Sequence, residues 1–266
     1  MRLAVLWLPV FGAAELLAQD AAMVRAASRA FETQIATLHF TAGQHTAAER
    51  LSQDAEQEAQ AGRFGEALRR YAHATAVLRD APWTPAIEFV ASLQGRIDRA
   101  MVDPGQPVTI SLVPLFPSKP ALGTKAVASI FLTPAGDAAP TEIALARGAI
   151  VEASRLPFTA RIAAPTTAAG NYHLEVRLGL VDGSAPEALR DVFRKSLPIH
   201  IEALSREAQQ LRDRLAAFAR RDEPALPSAE YVLTFYERAD RGEEGPRRYQ
   251  NFAFRREFAA AQAILD

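Results

Sequence analysis

The stretch GNYHLEVRLGLV, residues 170–181, decides the fold class of this chain. Alternate side chains are apolar and would face a core: Tyr172, Leu174 and Val176. The side chains between them are polar and would face water: His173, Glu175 and Arg177. A hydrophobic period of two is typical of a strand with one buried face. The stretch therefore predicts a β-strand that begins after a glycine turn.

The same period recurs between Gln106 and Ala203, in the runs VTISLVP, AVASIFLTP, FTARIAAP and FRKSLPIHIEAL. Turn-forming segments separate them: SKPALG, PAGDAAP, PTTAAG and DGSAPE. Several short alternating strands in about a hundred residues predict an antiparallel β-sandwich over residues 106–203. A tyrosine such as Tyr172, close to the start of a late strand, is also typical of immunoglobulin-like domains.

Helical periodicity lies on both sides of this region. Before it, four amphipathic helices are predicted, and the last carries Ile87, Val90, Ile97 and Met101 and ends before Asp103-Pro104-Gly105. After it, apolar spacing predicts three further helices, the last from about residue 249 to 265. We therefore predict an α+β fold, in which repeat-like helical segments, residues 19–102 and 204–266, flank an immunoglobulin-like antiparallel β-sandwich.

The segment AGRFGEALRRYAHATAVL, residues 61–78, matches the second half of a tetratricopeptide repeat at its small and aromatic positions. The first half fits poorly, since Asp54 stands where an apolar residue is usual, and no second copy follows at the 34-residue period. The segment thus indicates one repeat-like hairpin packed in a helical domain. A peptide-binding array is the alternative.

The N-terminus, MRLAVLWLPVFGAAELLAQD, has an arginine, an apolar run and small residues near Ala18. This order predicts a secretory signal peptide over residues 1–18 and a periplasmic or extracellular protein, with a buried N-terminal helix as the alternative. A dozen apolar residues are too few to cross a bilayer, and Gln19 stands where a lipoprotein would need cysteine. We expect no stable membrane anchor after cleavage.

Composition and motifs exclude several function classes. The formal net charge is −1, which gives no electrostatic reason to expect nucleic acid as a partner. The chain has no cysteine, which excludes disulfides and thiolate chemistry. A Gly-x-Ser-x-Gly elbow, a phosphate loop and a His-Glu-x-x-His motif are all missing from the sequence. We accordingly predict no catalytic residue, no cofactor and no metal.

One constellation near the C-terminus is a candidate interaction surface. The stretch RRYQNFAFRREF, residues 247–258, interleaves arginines with aromatic side chains. Such a pattern could bind nucleic acid or a carbohydrate, but acidic neighbours balance its charge, which argues against nucleic acid. The number of aromatic side chains favours docking to another domain that would cover them. The candidate residues are Arg247, Arg248, Tyr249, Phe252, Phe254 and Phe258.

The whole layout resembles the N-terminal region of secreted bacterial esterases and peptidases that carry an α/β-hydrolase domain. The resemblance is carried by AGRFGEALRRYAHA, AGNYHLEVRL and FRREFAAAQAILD. It implies an exported, non-catalytic accessory module, whose partner is a catalytic hydrolase domain or another protein and whose serine esterase or peptidase chemistry lies elsewhere. Two alternatives stay open: a hydrolase with a dispersed site built around His173 and His200, and a stand-alone peptide- or glycan-binding protein.

Overall fold

The computed structural model describes residues 11–118, 123–136, 142–165, 169–220, 227–243 and 254–265. Within these ranges, only the backbone is described for residues 11–20, 218–220 and 227. The fold is mixed α+β, as the sequence predicts, with helices, then strands, then helices along the chain.

The described helices are α1 (Phe11–Thr37), α2 (Ala42–Gln60), α3 (Phe64–Leu78), α4 (Pro85–Ser92), α5 (Ser205–Arg220), α6 (Pro227–Asp240) and α7 (Phe254–Leu265). The described strands are β1 (Leu93–Ile97), β2 (Met101–Val102), β3 (Pro107–Pro114), β4 (Lys125–Pro134), β5 (Ile143–Glu152), β6 (Phe158–Ala163), β7 (Gly170–Gly179) and β8 (Arg194–Ile201). A short 3-10 turn, Glu187–Leu189, lies between β7 and β8. None of the described helices combines the length and apolar character that a membrane span requires.

The strands form two sheets that contribute to one hydrophobic core. The three-stranded sheet has the order β1-β3-β6, and the five-stranded sheet has the order β2-β8-β7-β4-β5. Neighbouring strands run antiparallel, except that the short β2 runs parallel to β8. Ile110 of β3, Ile130 of β4 and Val176 of β7 belong to the same buried cluster. Apolar side chains from both sheets therefore exclude water together.

The predicted alternation of β7 is confirmed on its apolar side. Tyr172, Leu174 and Val176 are 9%, 2% and 1% exposed. On the polar side the prediction is wrong for Glu175, which is 6% exposed rather than facing water. The carboxylate is covered because Arg177 and Arg194 both donate hydrogen bonds to it, the former at 2.9 Å.

Two strands replace the second half of a predicted helix. The helical prediction for residues 93–102 is wrong, since β1 pairs with β3 and β2 pairs with β8 there. Helix α4 ends at Ser92, whose carbonyl accepts a hydrogen bond from the Leu115 amide at 2.7 Å. Gly95 then allows a close approach, because a Cβ there would lie 3.2 Å from Leu197 Cδ1 on β8. Tertiary pairing thus overrides the local helical pattern.

Strand β5 was not anticipated by the alternation pattern. It lies at an edge of the five-stranded sheet, where few of its side chains are buried. Gly148 has a φ of +68°, and the pairing with β4 shifts register next to Ile130. An exposed and irregular edge strand does not keep the clean period of two on which strand prediction depends.

The helices form two further hydrophobic clusters. Alanines with no exposed surface let α2 and α3 pack closely: Ala48, Ala55, Ala67 and Ala74. At the other end, α5, α6 and α7 share a cluster with Met101 of β2. The Asp103 carboxylate accepts hydrogen bonds from the amides of Leu204 and Ser205, at 2.9 and 3.2 Å. Asp103 thus holds the start of α5 next to the end of β2.

Candidate functional site

A groove lies where α1 and α3 meet the segment that leads into β8. Its volume is about 290 Å³, and its lining is mostly apolar and aromatic. The principal lining residues are Ala27, Ala30, Gln34, Leu68, Tyr71, Ala72, Thr75, Arg79, Trp83, Leu115, Phe116, Asp191, Val192 and Lys195. A concave apolar surface with a few converging polar groups is the usual form of a ligand site.

The aromatic wall of the groove is built by α3 and the loop after it. Tyr71 is 3% exposed, and its ring lies 6.0 Å from that of Phe31 on α1. The ring of His73 stacks on Trp83 at a centroid distance of 5.0 Å and an interplanar angle of 11°. Burial, with help from two neighbouring arginines, lowers the pKa of His73, so the stacked ring is neutral near pH 7.

Glu88 of α4 fixes the position of Trp83. Its carboxylate accepts the indole N–H of Trp83 at 3.1 Å and two hydrogen bonds from Arg69, at 2.9 and 3.0 Å. The residue is 7% exposed, so these bonds satisfy a charge that would otherwise be costly to bury. The wall is therefore held in place before any ligand arrives.

Arg79, at the end of α3, joins three segments around the groove. Its guanidinium donates to Gln34 Oε1 at 3.1 Å and to the carbonyl oxygen of Ala188 at 3.1 Å, and it also bonds the carboxylate of Asp191. Burial alone would raise the pKa of Asp191, but Arg79 outweighs it and holds that pKa below its usual value. Arg79 and Asp191 thus form an ion pair that links the end of α3 to the segment before β8.

Lys195 is the charged group of the groove that lacks such a partner. Its Nζ donates to the carbonyl oxygen of Val192 at 2.5 Å, and no carboxylate oxygen of the described residues lies within 4.0 Å of it. Burial lowers the pKa of Lys195 to about 8, and the more distant Asp191 opposes the shift only in part. A half-buried ammonium without a carboxylate partner in a cleft marks a candidate binding residue.

A second concavity lies on the other side of Arg79, the residue that it shares with the groove. Its volume is about 350 Å³. It is lined by Leu38, His39, Gln44, Leu78, Arg79, Asp80 and Ala188. Asp80 has a φ of +53°, a left-handed conformation that ends α3 and turns the chain away. Arg79 lines both concavities and is fixed between them by its bonds to Gln34, Ala188 and Asp191.

Comparison with known proteins gives little guidance. No known protein family and no curated protein matches the chain. Among solved structures, the superoxide reductase (neelaredoxin) from Ignicoccus hospitalis is similar over 46% of this chain and 91% of its own, with 17% identity and a TM-score of 0.26. This similarity is too low to bear on the fold or the function.

Two residues of the candidate surface near the C-terminus are buried. Phe254 and Phe258 are 2% and 0% exposed, so the expectation that these two rings face a partner is wrong. Their rings lie 5.4 and 5.3 Å from that of Tyr236, within the core shared by α5, α6 and α7. The helices bury the rings because aromatic surface that packs between helices gains more than aromatic surface left in water. Outside the described residues lie Arg247, Arg248, Tyr249 and Phe252.

The two histidines of the dispersed-site alternative lie on the neighbouring strands β7 and β8. His173 Nδ1 is 3.1 Å from Ser196 Oγ, a contact that the sequence did not indicate. His200 contacts Asn171 Oδ1 at 2.8 Å and Glu202 Oε2 at 3.0 Å. In the described part of the chain, no three histidine or acidic side chains lie close enough to hold a metal ion.

A third cavity, of about 400 Å³, is lined by Arg177, Arg190 and Arg194. Its arginines are already engaged. Arg177 forms two hydrogen bonds with Glu142, at 2.9 and 2.6 Å, and both Arg177 and Arg194 bond Glu175. Arg190 bonds Glu187. An anionic ligand would have to displace these carboxylates, so the cavity is a weaker candidate than the groove at Lys195.

Proposed function

We propose that this chain is an exported, non-catalytic interaction module that binds an extended ligand in the groove between α1, α3 and β8. One observation carries the proposal: the groove is apolar, aromatic and held open by the Glu88 and Arg79 contacts, and it has one uncompensated cation, Lys195. Preformed apolar clefts of this kind bind ligands without a large ordering cost. The predicted role as an accessory to a secreted hydrolase remains part of the proposal.

We also propose two finer features of the fold, one for the sheets and one for the α2–α3 pair. We assign the two sheets with their shared core to an immunoglobulin-like sandwich, and the α2–α3 pair to a repeat-like hairpin. The shared core cluster supports the first assignment. The fully buried alanines between α2 and α3 support the second. In this arrangement the sandwich carries β8 and Lys195, and the hairpin supplies the opposite wall.

The binding role is tested by filling the groove. Ala30 of α1 is exposed and lines the groove, so Ala30→Trp places a large ring in it without disturbing a packed core. Ala22 is an exposed alanine two turns earlier on α1 that does not line the groove, which makes Ala22→Trp the matched control. A random octapeptide library is passed over each immobilised protein, and the retained peptides are sequenced.

We expect the wild type and Ala22→Trp to enrich the same peptides, while Ala30→Trp loses the enrichment at least tenfold. A random set of retained peptides, or equal enrichment by all three proteins, would reject the groove as the binding site.

A hydrolase with a dispersed site is the second candidate, because Ser196 and His173 are within hydrogen-bond distance. A serine mechanism also needs a carboxylate to orient the histidine. The nearest such group along β7, Glu175, already binds Arg177 and Arg194. Turnover of a nitrophenyl ester by the wild type, abolished by Ser196→Ala, would favour this candidate. Equal background rates for the two proteins would reject it.

Export and the accessory role have their own tests. Intact-mass analysis of the protein from a native-like host should show cleavage near Ala18. The reading frame after Asp266, or a neighbouring gene, should encode a Gly-x-Ser-x-Gly strand–turn–helix. A full-length cytoplasmic protein would contradict export, and a genome region without a hydrolase would contradict the accessory role.

A further inference from the structure

We infer that the groove binds the C-terminal residue of an apolar peptide, with its free carboxylate on Lys195 Nζ and its side chain in the apolar part of the groove beside Trp83. This inference rests on the proposed binding role and specifies the ligand for the same site. The residues that carry it come from α3, the loop after α3 and β8.

The charge of the groove selects the carboxylate. Arg79 and Asp191 compensate each other, which leaves the ammonium of Lys195 as the net charge. Burial without a counter-ion is unfavourable, as the lowered pKa of Lys195 reflects. A carboxylate placed within hydrogen-bond distance supplies the missing partner, and such charge-assisted bonds are the strong ones.

The apolar lining selects the side chain next to that carboxylate. Leu68, Tyr71, Trp83, Leu115 and Phe116 surround the cavity of about 290 Å³. This volume lies near the lower end for ligand sites, so it has room for one large apolar side chain rather than for a folded segment. The Trp83 ring is already held by Glu88, so it can gain contact area at a small entropic cost.

The polar side chains of the groove favour a peptide over a free carboxylic acid. Gln34 and Thr75 line the groove and carry amide and hydroxyl groups that can bond peptide groups. Both side chains can therefore bond the peptide groups that precede the C-terminal residue.

The test compares a peptide acid with its amide. A tetrapeptide of sequence Ala-Ala-Leu-Phe, labelled with fluorescein at its amino end, is titrated with the protein at pH 7 and followed by fluorescence anisotropy. We expect the free acid to bind at least tenfold more tightly than the C-terminal amide, since only the acid can pair with Lys195.

Variants of two lysines, Lys195 and Lys125, separate a specific contact from general charge. Lys195→Met should remove the difference between acid and amide, and Lys195→Arg should retain most of it. Lys125→Met is the matched control, because the Lys125 side chain on β4 is 44% exposed and pairs with Glu152, and this variant should behave like the wild type. The acid-to-amide ratio within one variant does not depend on the fraction of protein that is folded.

Several results would overturn the inference. Equal binding of acid and amide by the wild type would do so, and so would a preference that survives Lys195→Met. Binding of 3-phenylpropanoate with no binding of either peptide would replace the peptide with a free small acid. If acid and amide bind equally and Ala30→Trp abolishes both, this inference fails while the proposed groove function stands. If neither peptide binds and the octapeptide library yields no enrichment, both fail.

Discussion

Replacing Lys195 with methionine should stabilise the protein near neutral pH. The pKa of Lys195 falls from an ordinary 10.5 to about 8 because of burial. A shift of this size corresponds to a cost of about 3 kcal/mol for keeping the ammonium in the folded state at pH 7. Methionine has a similar length and no charge, but it loses the bond to the Val192 carbonyl, worth about 1 kcal/mol. We therefore expect Lys195→Met to raise the free energy of unfolding by about 2 kcal/mol at pH 7.

The stability gained by Lys195→Met depends on pH. Below pH 8, Lys195 carries its proton in both the folded and the unfolded chain, so the cost is constant. Between pH 8 and 10.5 the folded chain releases the proton while the unfolded chain keeps it, so this group makes the wild type more stable by about 1.4 kcal/mol per pH unit. Methionine has no proton to release. The advantage of Lys195→Met should therefore shrink above pH 8 and disappear near pH 9.5.

Urea unfolding followed by circular dichroism at 222 nm, at pH values from 6 to 9.5, measures this difference. A gain of about 2 kcal/mol raises the urea midpoint by about 1 M. The control is Lys125→Met, which removes an exposed ion pair with Glu152 at 3.1 Å and should change stability by less than about 1 kcal/mol, without a pH trend. A destabilised Lys195→Met at pH 7, or a difference that stays constant up to pH 9.5, would refute the assigned burial of this charge.

Three further substitutions test the packing in the helical cluster, at the groove wall and at the end of β7. Each is measured by urea unfolding at pH 7. Phe258→Ala should cost about 3–5 kcal/mol because the ring is fully buried. Ile264, on the same helix, is 51% exposed, so Ile264→Ala should change stability by less than about 1 kcal/mol. Equal effects would mean that Phe258 faces solvent. Glu88→Ala should cost about 3 kcal/mol, since it leaves a guanidinium and an indole N–H without their partner, and a neutral result would show that Glu88 does not hold the wall. Gly179→Ala should cost about 1–3 kcal/mol, because a Cβ there would lie 2.9 Å from the Gly183 carbonyl oxygen. Gly43→Ala is the control and should not destabilise, because the nearest atom to its Cβ, Thr41 Oγ1, would be 4.0 Å away. A larger cost for Gly43→Ala than for Gly179→Ala would contradict the close approach.

Much of the fold could be predicted from local patterns. The strands around Ile110, Ile130 and Val176 carry an apolar residue at every second position, because one face of each is buried in the common core. The α2–α3 pair follows from alanine spacing and from the Gly62 break, where φ is +74°. Strand β1 did not follow from the sequence, because its pairing with β3 depends on residues that lie well outside its own segment.

The groove was harder to predict than the fold. Its walls come from α1, α3 and the segment before β8, and no local motif joins them. Lys195 is one of only three lysines in the chain, yet in the sequence it stands as an ordinary polar residue of an alternating strand. Its altered chemistry arises from burial by other elements, and Glu175 likewise becomes buried through two arginines. Such properties appear only when distant segments are brought together.

The groove claim is tested most directly by NMR of lysine side chains labelled with ¹³C at the ε position. The chain has three lysines, and Lys195→Arg identifies the signal of the third. We predict that this signal titrates with a pKa near 8. The free-acid Ala-Ala-Leu-Phe peptide should shift this signal and not those of the other two lysines, and the bound carboxylate should raise the pKa of Lys195. The peptide amide should leave the signal unchanged. A Lys195 signal that titrates like an exposed lysine, or that stays in place at saturating peptide acid, would contradict the account.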